Sequence, residues 1–141
     1  MILLDTSGLL SAIDAAQRRH AACATILSEA TPPLLLSPFV LGELDYLLAT
    51  QVGDRAQVAL LDEVGKGAYQ LEPFNARDIA SAAIVMRRYA NQAIGLADAS
   101  IVVLAERHET RDVLTLDERH FRVLRANGKR FRILPADGIW S

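Results

Sequence analysis

Four carboxylates stand where a packed domain should not tolerate them: Asp5, Glu43, Asp98 and Asp117. Burying a charged carboxylate is costly unless it is paired or holds a metal. Asp98 is followed by Ile101, Val102 and Ala105, three, four and seven residues on, and side chains at those spacings share one helix face. Asp98 therefore heads an apolar stripe. Glu43 has Phe39, Val40 and Leu47 as same-face neighbours, which puts it on or beside an apolar face, while Asp45 looks outward. Asp5 and Asp117 each follow a short apolar run and precede a helical pattern. In open α/β sheets, ligands bind outside the carboxyl ends of the strands, so both acids fall at the functional edge. Ser7 and Thr115 can add hydroxyls there.

Each acid has a plainer reading. Asp5 or Asp117 can cap the helix that follows, Asp98 can be a favourable charge at a helix N-terminus, and Glu43 can be a half-exposed acid with an arginine partner. Four acids in such places have a simpler common explanation in a divalent cation. An all-oxygen donor set suits Mg²⁺, with Mn²⁺ as a substitute. His20, His108 and His120 lack the spacing of a zinc site, and no glycine-rich loop with a lysine is present to cradle a nucleoside triphosphate. Ions of this kind activate water and stabilise the leaving oxygen of a phosphodiester displacement.

The elements that must position these acids alternate along the chain. Ile2 to Asp5 reads as a buried strand, Ser7 to Asp14 as a helix, and Arg18 to Glu29 as a second, alanine-rich helix. Pro32-Pro33 breaks the chain before the strand Leu34-Leu35-Leu36. Ser37-Pro38 is a helix start, with serine as cap and proline at the first helical position, and the helix should run to about Thr50. Asp54 can cap a helix to about Val64, ended by Gly65-Lys66-Gly67. Tyr69 to Glu72 is a strand candidate, and Asn75 can cap a helix to about Tyr89. Leu96 to His108 reads as helix and Val113 to Thr115 as strand. Asp117 to Ala126 reads as helix stopped by Asn127-Gly128, and Phe131 to Leu134 as a last strand. Short apolar strands alternating with helices argue for an α/β fold, a parallel central sheet sandwiched between helices. No repeat, linker or low-complexity tract divides the 141 residues, so one domain over 1–141 is expected.

About half the residues are hydrophobic, which argues against disorder, and a domain of this size buries roughly two-thirds of its unfolded surface. The single cysteine, Cys23, has no partner for an internal disulfide and reads as a small apolar helix residue. No run approaches the ~20 apolar residues of a membrane span, and no basic leader precedes Ile2, so a cytoplasmic protein is expected. The net charge of −2 does not itself suggest nucleic acid. Its distribution does more, because Arg107 to Arg132 holds eight Lys or Arg against four acids. Such a stretch can hold a phosphate backbone or be only a solvated surface.

Four pieces in order then carry a resemblance: Ile2-Leu3-Leu4-Asp5-Thr6-Ser7; Ser37-Pro38 with Glu43-Leu44; Leu96-Ala97-Asp98-Ala99-Ser100-Ile101; and Leu114-Thr115-Leu116-Asp117 with His120-Phe121. The sequence resembles PIN-domain ribonucleases, specifically the VapC toxins of prokaryotic toxin–antitoxin pairs. That resemblance implies a single PIN-like domain and a Mg²⁺-dependent endoribonuclease that cleaves RNA to inhibit translation and growth. It implies Asp5, Glu43, Asp98 and Asp117 as catalytic, metal-holding acids, with Thr115 and Ser7 as polar support. It also implies a homodimer and a VapB-type antitoxin whose tail covers the site. Two rivals have different chemistry. A phosphatase of the haloacid dehalogenase type would use Asp5 as nucleophile, but that pattern wants a second aspartate where this chain has Ser7. A binding module would recognise RNA or protein without reaction, and has no physical need for four clustered charges.

Overall fold

Four aliphatic-rich three-residue strands and one two-residue strand supply a five-stranded sheet, in which every pairing is parallel. The structure is a computed structural model and describes residues 1–138. In chain order the elements are β1 (Ile2–Leu4), α1 (Thr6–Ile13), α2 (His20–Glu29), β2 (Leu34–Leu36), α3 (Pro38–Gln51), α4 (Asp54–Gly65), β3 (Gln70–Leu71) and α5 (Ala76–Arg88). A 3₁₀ turn (Ala90–Gln92), α6 (Leu96–His108), β4 (Asp112–Leu114), α7 (Glu118–Phe121), β5 (Arg125–Ala126), β6 (Lys129–Arg130) and β7 (Arg132–Leu134) follow.

The strand order is β3-β2-β1-β4-β7. The chain steps one way from β1 through β2 to β3, then crosses back to β4 and continues to β7. With right-handed crossovers, connections running in opposite directions lie on opposite faces of the sheet. The reversal falls between β1 and β4, so a cleft opens beyond their carboxyl ends. The residues that follow those two strands are Asp5 and Thr115. The three residues of β1 are all buried, as expected of a parallel strand covered on both sides. Leu3, Leu35, Val113 and Ile133 form a fully buried row across the sheet.

Helix starts follow local chemistry. Ser37 Oγ accepts from Phe39 N–H at 3.1 Å, with Pro38 opening α3. Asn75 and Asp78 form a reciprocal capping box at α5. Cys23 is buried on α2, as a small apolar residue. Apart from the stretch after Asp117, the expected helices and strands are present, with ends shifted by a residue or two. Two local readings are corrected. Gly53, with φ of 136°, occupies the cap position of α4, and Asp54 lies inside its first turn, where a negative charge still favours the helix dipole. The stretch after Asp117 is not one helix to Ala126. It makes the single turn α7, and then β5 and β6 pair antiparallel around Asn127-Gly128. Asn127 and Gly128 both have positive φ, at 51° and 74°, the signature of a tight hairpin rather than a helix stop. Phe121 and Phe131 pack edge to face, with ring centres 5.4 Å apart, and pin this segment to the core.

Gly8 sets how closely α1 approaches β4. A Cβ there would lie 2.4 Å from the Leu114 carbonyl oxygen. Only glycine allows that approach, which brings Ser7 against the end of β4.

Candidate active site

The first acid is set by β1. Asp5 leaves the strand with its N–H on the Leu114 carbonyl at 3.0 Å, and the residue is only 5% exposed. Its Oδ2 accepts from the Thr115 hydroxyl at 2.5 Å and from the Ser7 hydroxyl at 3.1 Å. Ser7 Oγ in turn accepts from Leu116 N–H at 2.9 Å, and Thr115 Oγ1 accepts from Asp117 N–H at 2.9 Å. The two hydroxyls therefore stitch the β1 and β4 ends into one unit. Asp5 occupies the cap position of α1 but makes no side-chain cap bond, so the plain capping role does not explain it.

Asp98 lies in the first turn of α6 and accepts from Gly95 N–H at 3.3 Å. The start of α6 is tied to that of α3 by a buried pair of hydroxyls, Ser37 Oγ to Ser100 Oγ at 2.7 Å. This link fixes the two helices that carry Glu43 and Asp98. Glu43 is exposed rather than on an apolar face. The buried stripe of α3 is Val40, Leu44 and Leu48, and Glu43 stands just beside it at the cleft rim. Its partner is not an arginine: Thr6 donates to Glu43 Oε1 at 2.7 Å. Asp45 is half-buried and accepts from Gln57 at 2.8 Å. Asp117 caps α7, with His120 N–H donating to Oδ1 at 3.1 Å, and so combines the capping role with a place in the cleft.

Asp5, Thr6, Ser7, Glu43, Asp98, Asp117 and His120 line one open cleft, together with Leu10 and Leu47. All four acids expected from the sequence thus converge, as do Ser7 and the Thr115 hydroxyl behind them. Two neighbours were not singled out as site residues, Thr6 and His120. Thr6 stands beside Asp5 at the strand end, but nothing in its type or spacing shows that it reaches Glu43. His120 lies three residues after Asp117, and that spacing on a helix start could have suggested a shared face. Its Nδ1 is 2.8 Å from Asp117 Oδ2 and 3.8 Å from Asp98 Oδ2.

The electrostatics follow from crowding. Burial pushes the Asp5 carboxyl up to about 6, against the Thr115 hydrogen bond, and the charge of Asp98 adds to the rise. Burial also raises Asp98, the Gly95 and His120 contacts oppose it, and the charges of Asp117 and Glu43 push the same way as burial. For His120, burial disfavours the positive form, but the hydrogen bond to Asp117 and the charges of Asp117 and Asp98 outweigh it and raise its pKa. One donor atom each from Asp98, Asp117 and His120 lie within 4.8 Å of one another, a spacing that a single ion can span. A cluster of carboxylates in which burial and neighbouring negative charge raise Asp5 and Asp98, with a hard-oxygen donor set, fits a divalent cation.

The basic stretch is less free than its composition suggests. Arg107 pairs with Glu72 and Asp78, Arg122 with Glu118 and Asp137, and Arg132 with Asp112. Arg19, Thr115, Leu116 and Glu118 line a smaller cavity of about 80 Å³ beside the cleft.

A parallel α/β sheet with a carboxylate cleft at its switch point defines the class, and the PIN domain model matches residues 2–126. The chain belongs to the PIN domain family, in its VapC branch. It is 46% identical over 135 residues to Ribonuclease VapC26 of Mycobacterium tuberculosis (strain ATCC 25618 / H37Rv), covering 95% of this chain and 100% of that protein. Its fold is similar to Mycobacterium tuberculosis VapC20, a sarcin-ricin loop cleaving toxin, with a TM-score of 0.77 at 23% identity over 83% of this chain and 90% of the other. It is also similar to VapBC2 of Rickettsia felis, solved bound to a DNA fragment from its promoter. There the TM-score is 0.65 at 18% identity, over 94% and 98% of the two chains. This places the chain with the family of the first reading rather than with the phosphatases. No helix among the described residues is long and apolar enough to cross a membrane.

Proposed function

We propose that the protein is a Mg²⁺-dependent endoribonuclease acting as the toxin of a type II toxin–antitoxin pair. The observation that carries this reading is the convergence of Asp5, Glu43, Asp98 and Asp117 on one cleft at the β1/β4 switch point. The 46% identity to a ribonuclease over nearly the whole chain supports it. Asp5, Glu43, Asp98 and Asp117 are the catalytic acids and would hold the cation, with Ser7 and Thr115 orienting Asp5. When bound, a Mg²⁺ or Mn²⁺ ion would supply Lewis-acid activation of water and of the scissile phosphodiester. The residues' own contribution is placement. Two hydroxyls fix one oxygen of Asp5, Thr6 fixes one of Glu43, and the Ser37–Ser100 link fixes the spacing of the helices between them.

The domain is proposed to occupy residues 1–141, since β7 pairs with β4 beyond the end of the family match. A VapB-type antitoxin, a homodimer and a cytoplasmic location complete the reading, supported by the VapBC2 likeness and the family resemblance. Cleavage of total cellular RNA tests the core of it. Purified, antitoxin-free protein should yield discrete fragments with Mg²⁺, and none with EDTA or as Asp98→Asn. A folded protein that cuts nothing with either Mg²⁺ or Mn²⁺ would sink the reading.

A further inference from the structure

His120 makes three contacts that no single ordinary role requires. Its backbone N–H donates to Asp117 Oδ1 at 3.1 Å, and its ring Nδ1 lies 2.8 Å from Asp117 Oδ2. Its Nε2 lies 2.8 Å from the Gln92 carbonyl oxygen, in the 3₁₀ turn that leads into α6. One residue therefore holds both oxygens of Asp117, and its far nitrogen is held by the turn before α6. A carbonyl oxygen can only accept, so Nε2 donates to Gln92. With Nε2 committed to that bond and Nδ1 facing Asp117, the ring has no nitrogen turned freely toward the cleft. That geometry belongs to an outer partner that orients a metal-holding carboxylate, rather than to a ligand itself.

We propose that His120 is a positioning residue: its backbone N–H and ring Nδ1 clamp Asp117 in the orientation that receives the cation, while the Nε2 bond to Gln92 serves only to hold the ring in place. The inference rests on the reading of the four acids as a metal site. It differs from the simplest reading of the Asp98, Asp117 and His120 grouping, in which all three would be ligands. It also assigns a purpose to the 3₁₀ turn, whose position is otherwise a connection between α5 and α6.

The two ring contacts can be separated chemically. An asparagine side chain places its amide nitrogen near the place of Nδ1, and a glutamine places its own near that of Nε2. His120→Asn keeps the donor to Asp117 and loses Gln92, and His120→Gln does the reverse. The readout is Mn²⁺ affinity of the full chain, followed by the electron paramagnetic resonance signal of free Mn²⁺, with thermal unfolding measured on each variant. His120→Asn should bind Mn²⁺ within about threefold of the unmodified protein, and His120→Gln and His120→Ala about tenfold more weakly, the usual size of an outer-partner effect. Equal affinities for the asparagine and glutamine variants, whether both are intact or both impaired, would overturn the clamp. So would a His120→Ala variant that melts lower but binds Mn²⁺ normally. If the unmodified protein itself bound no Mn²⁺, the metal-site reading would fall and this inference with it. Binding by the unmodified protein, with no difference between the two amide variants, overturns the clamp alone.

Discussion

Two groups of acids sit toward opposite ends of α6, and their surroundings differ in kind. At the N-terminal end, Asp98 faces Asp117, Glu43 and Asp5, and His120 is the one basic side chain paired with this group among the described residues. At the C-terminal end, Arg107 and His108 both reach Glu72, whose residue is only 5% exposed. Gln70 donates to Glu72 Oε2 at 3.0 Å, Arg107 also holds Asp78 at 3.2 Å, and its guanidinium lies 5.1 Å over the Phe74 ring. Burial pushes Glu72 up, but its hydrogen bonds to His108 and Gln70 and the charges of His108 and Arg107 more than reverse that and leave it below the ordinary range. Burial pushes Asp5 and Asp98 up, and there it prevails. A buried acid that the fold has already matched is structural. A group of acids left under-matched on one cleft wants a cation from outside.

The largest effect should come from removing one charge at each end. Asp98→Asn should lower RNA cleavage by about a hundredfold or more, the scale of losing a group that acts directly on the reaction. It should also raise the melting temperature of the metal-free protein, because it relieves repulsion from Asp117 and Glu43. Glu72→Gln should do the opposite: cleavage within about twofold, and a loss of about 2 kcal/mol in denaturant unfolding, the scale of charge-assisted hydrogen bonds broken in a poorly exposed place. Two variants that shift stability in the same direction would break the comparison.

Next in size is the pH dependence of the metal-free protein. Asp5 is raised when folded, from 3.8 to about 6, so between those values the folded state binds more protons than the unfolded. Stability from this group therefore increases as pH falls from 7 through 6, and the gain is complete below about 4. Glu72 has the contrary sign. Its carboxyl is lowered from 4.5, so its contribution is full above that value and is lost as pH falls through its folded pKa. Metal-free protein should thus be more stable near pH 5 than at pH 7, then weaken as pH drops below 4.5. Asp5→Asn should shrink the first limb, to which the raised Asp98 and His120 also contribute, and leave the second, in urea unfolding across pH 4–8. Mg²⁺ should stabilise more at pH 7 than at pH 5, because the ion competes with protons for the same oxygens.

What the sequence allowed to be read follows the same divide. Asp5, Asp98 and Asp117 were legible because a charge beside an apolar run conflicts with burial, and such conflicts need no three-dimensional knowledge to detect. Glu43 was found, but for a partly mistaken reason. Its neighbours Phe39 and Val40 suggested an apolar face, whereas the buried stripe runs through Val40, Leu44 and Leu48. The Glu72 group was invisible, since Glu72 and Arg107 are far apart in the chain and acids and arginines are common on surfaces. Gly8 gave no signal either. Its necessity lies in the 2.4 Å approach to Leu114, a tertiary distance. The Asn127-Gly128 turn was misread for a local reason, because asparagine and glycine end helices as readily as they turn hairpins. The positive φ at both residues and the pairing of Arg125 with Arg130 and of Ala126 with Lys129 decide between them.

The smallest expected effect sharpens the comparison by leaving every acid in place. Ser7 touches Asp5 Oδ2 at 3.1 Å and accepts from Leu116 N–H at 2.9 Å, so it serves both the carboxylate and the β4 end. Thr115 makes the shorter bond to the same oxygen, at 2.5 Å. Ser7→Ala should therefore cost about 1 kcal/mol of stability, the scale of one net hydrogen bond, and lower Mg²⁺-dependent cleavage by less than about tenfold. Thr115→Val should cost more activity than Ser7→Ala, and should move the metal-free pH profile upward, because Asp5 loses the bond that most opposes its rise. If Ser7→Ala proved the more damaging to cleavage, the serine would be acting beyond support of Asp5. The division of labour between a charged cleft and its hydroxyl scaffold would then have to be redrawn.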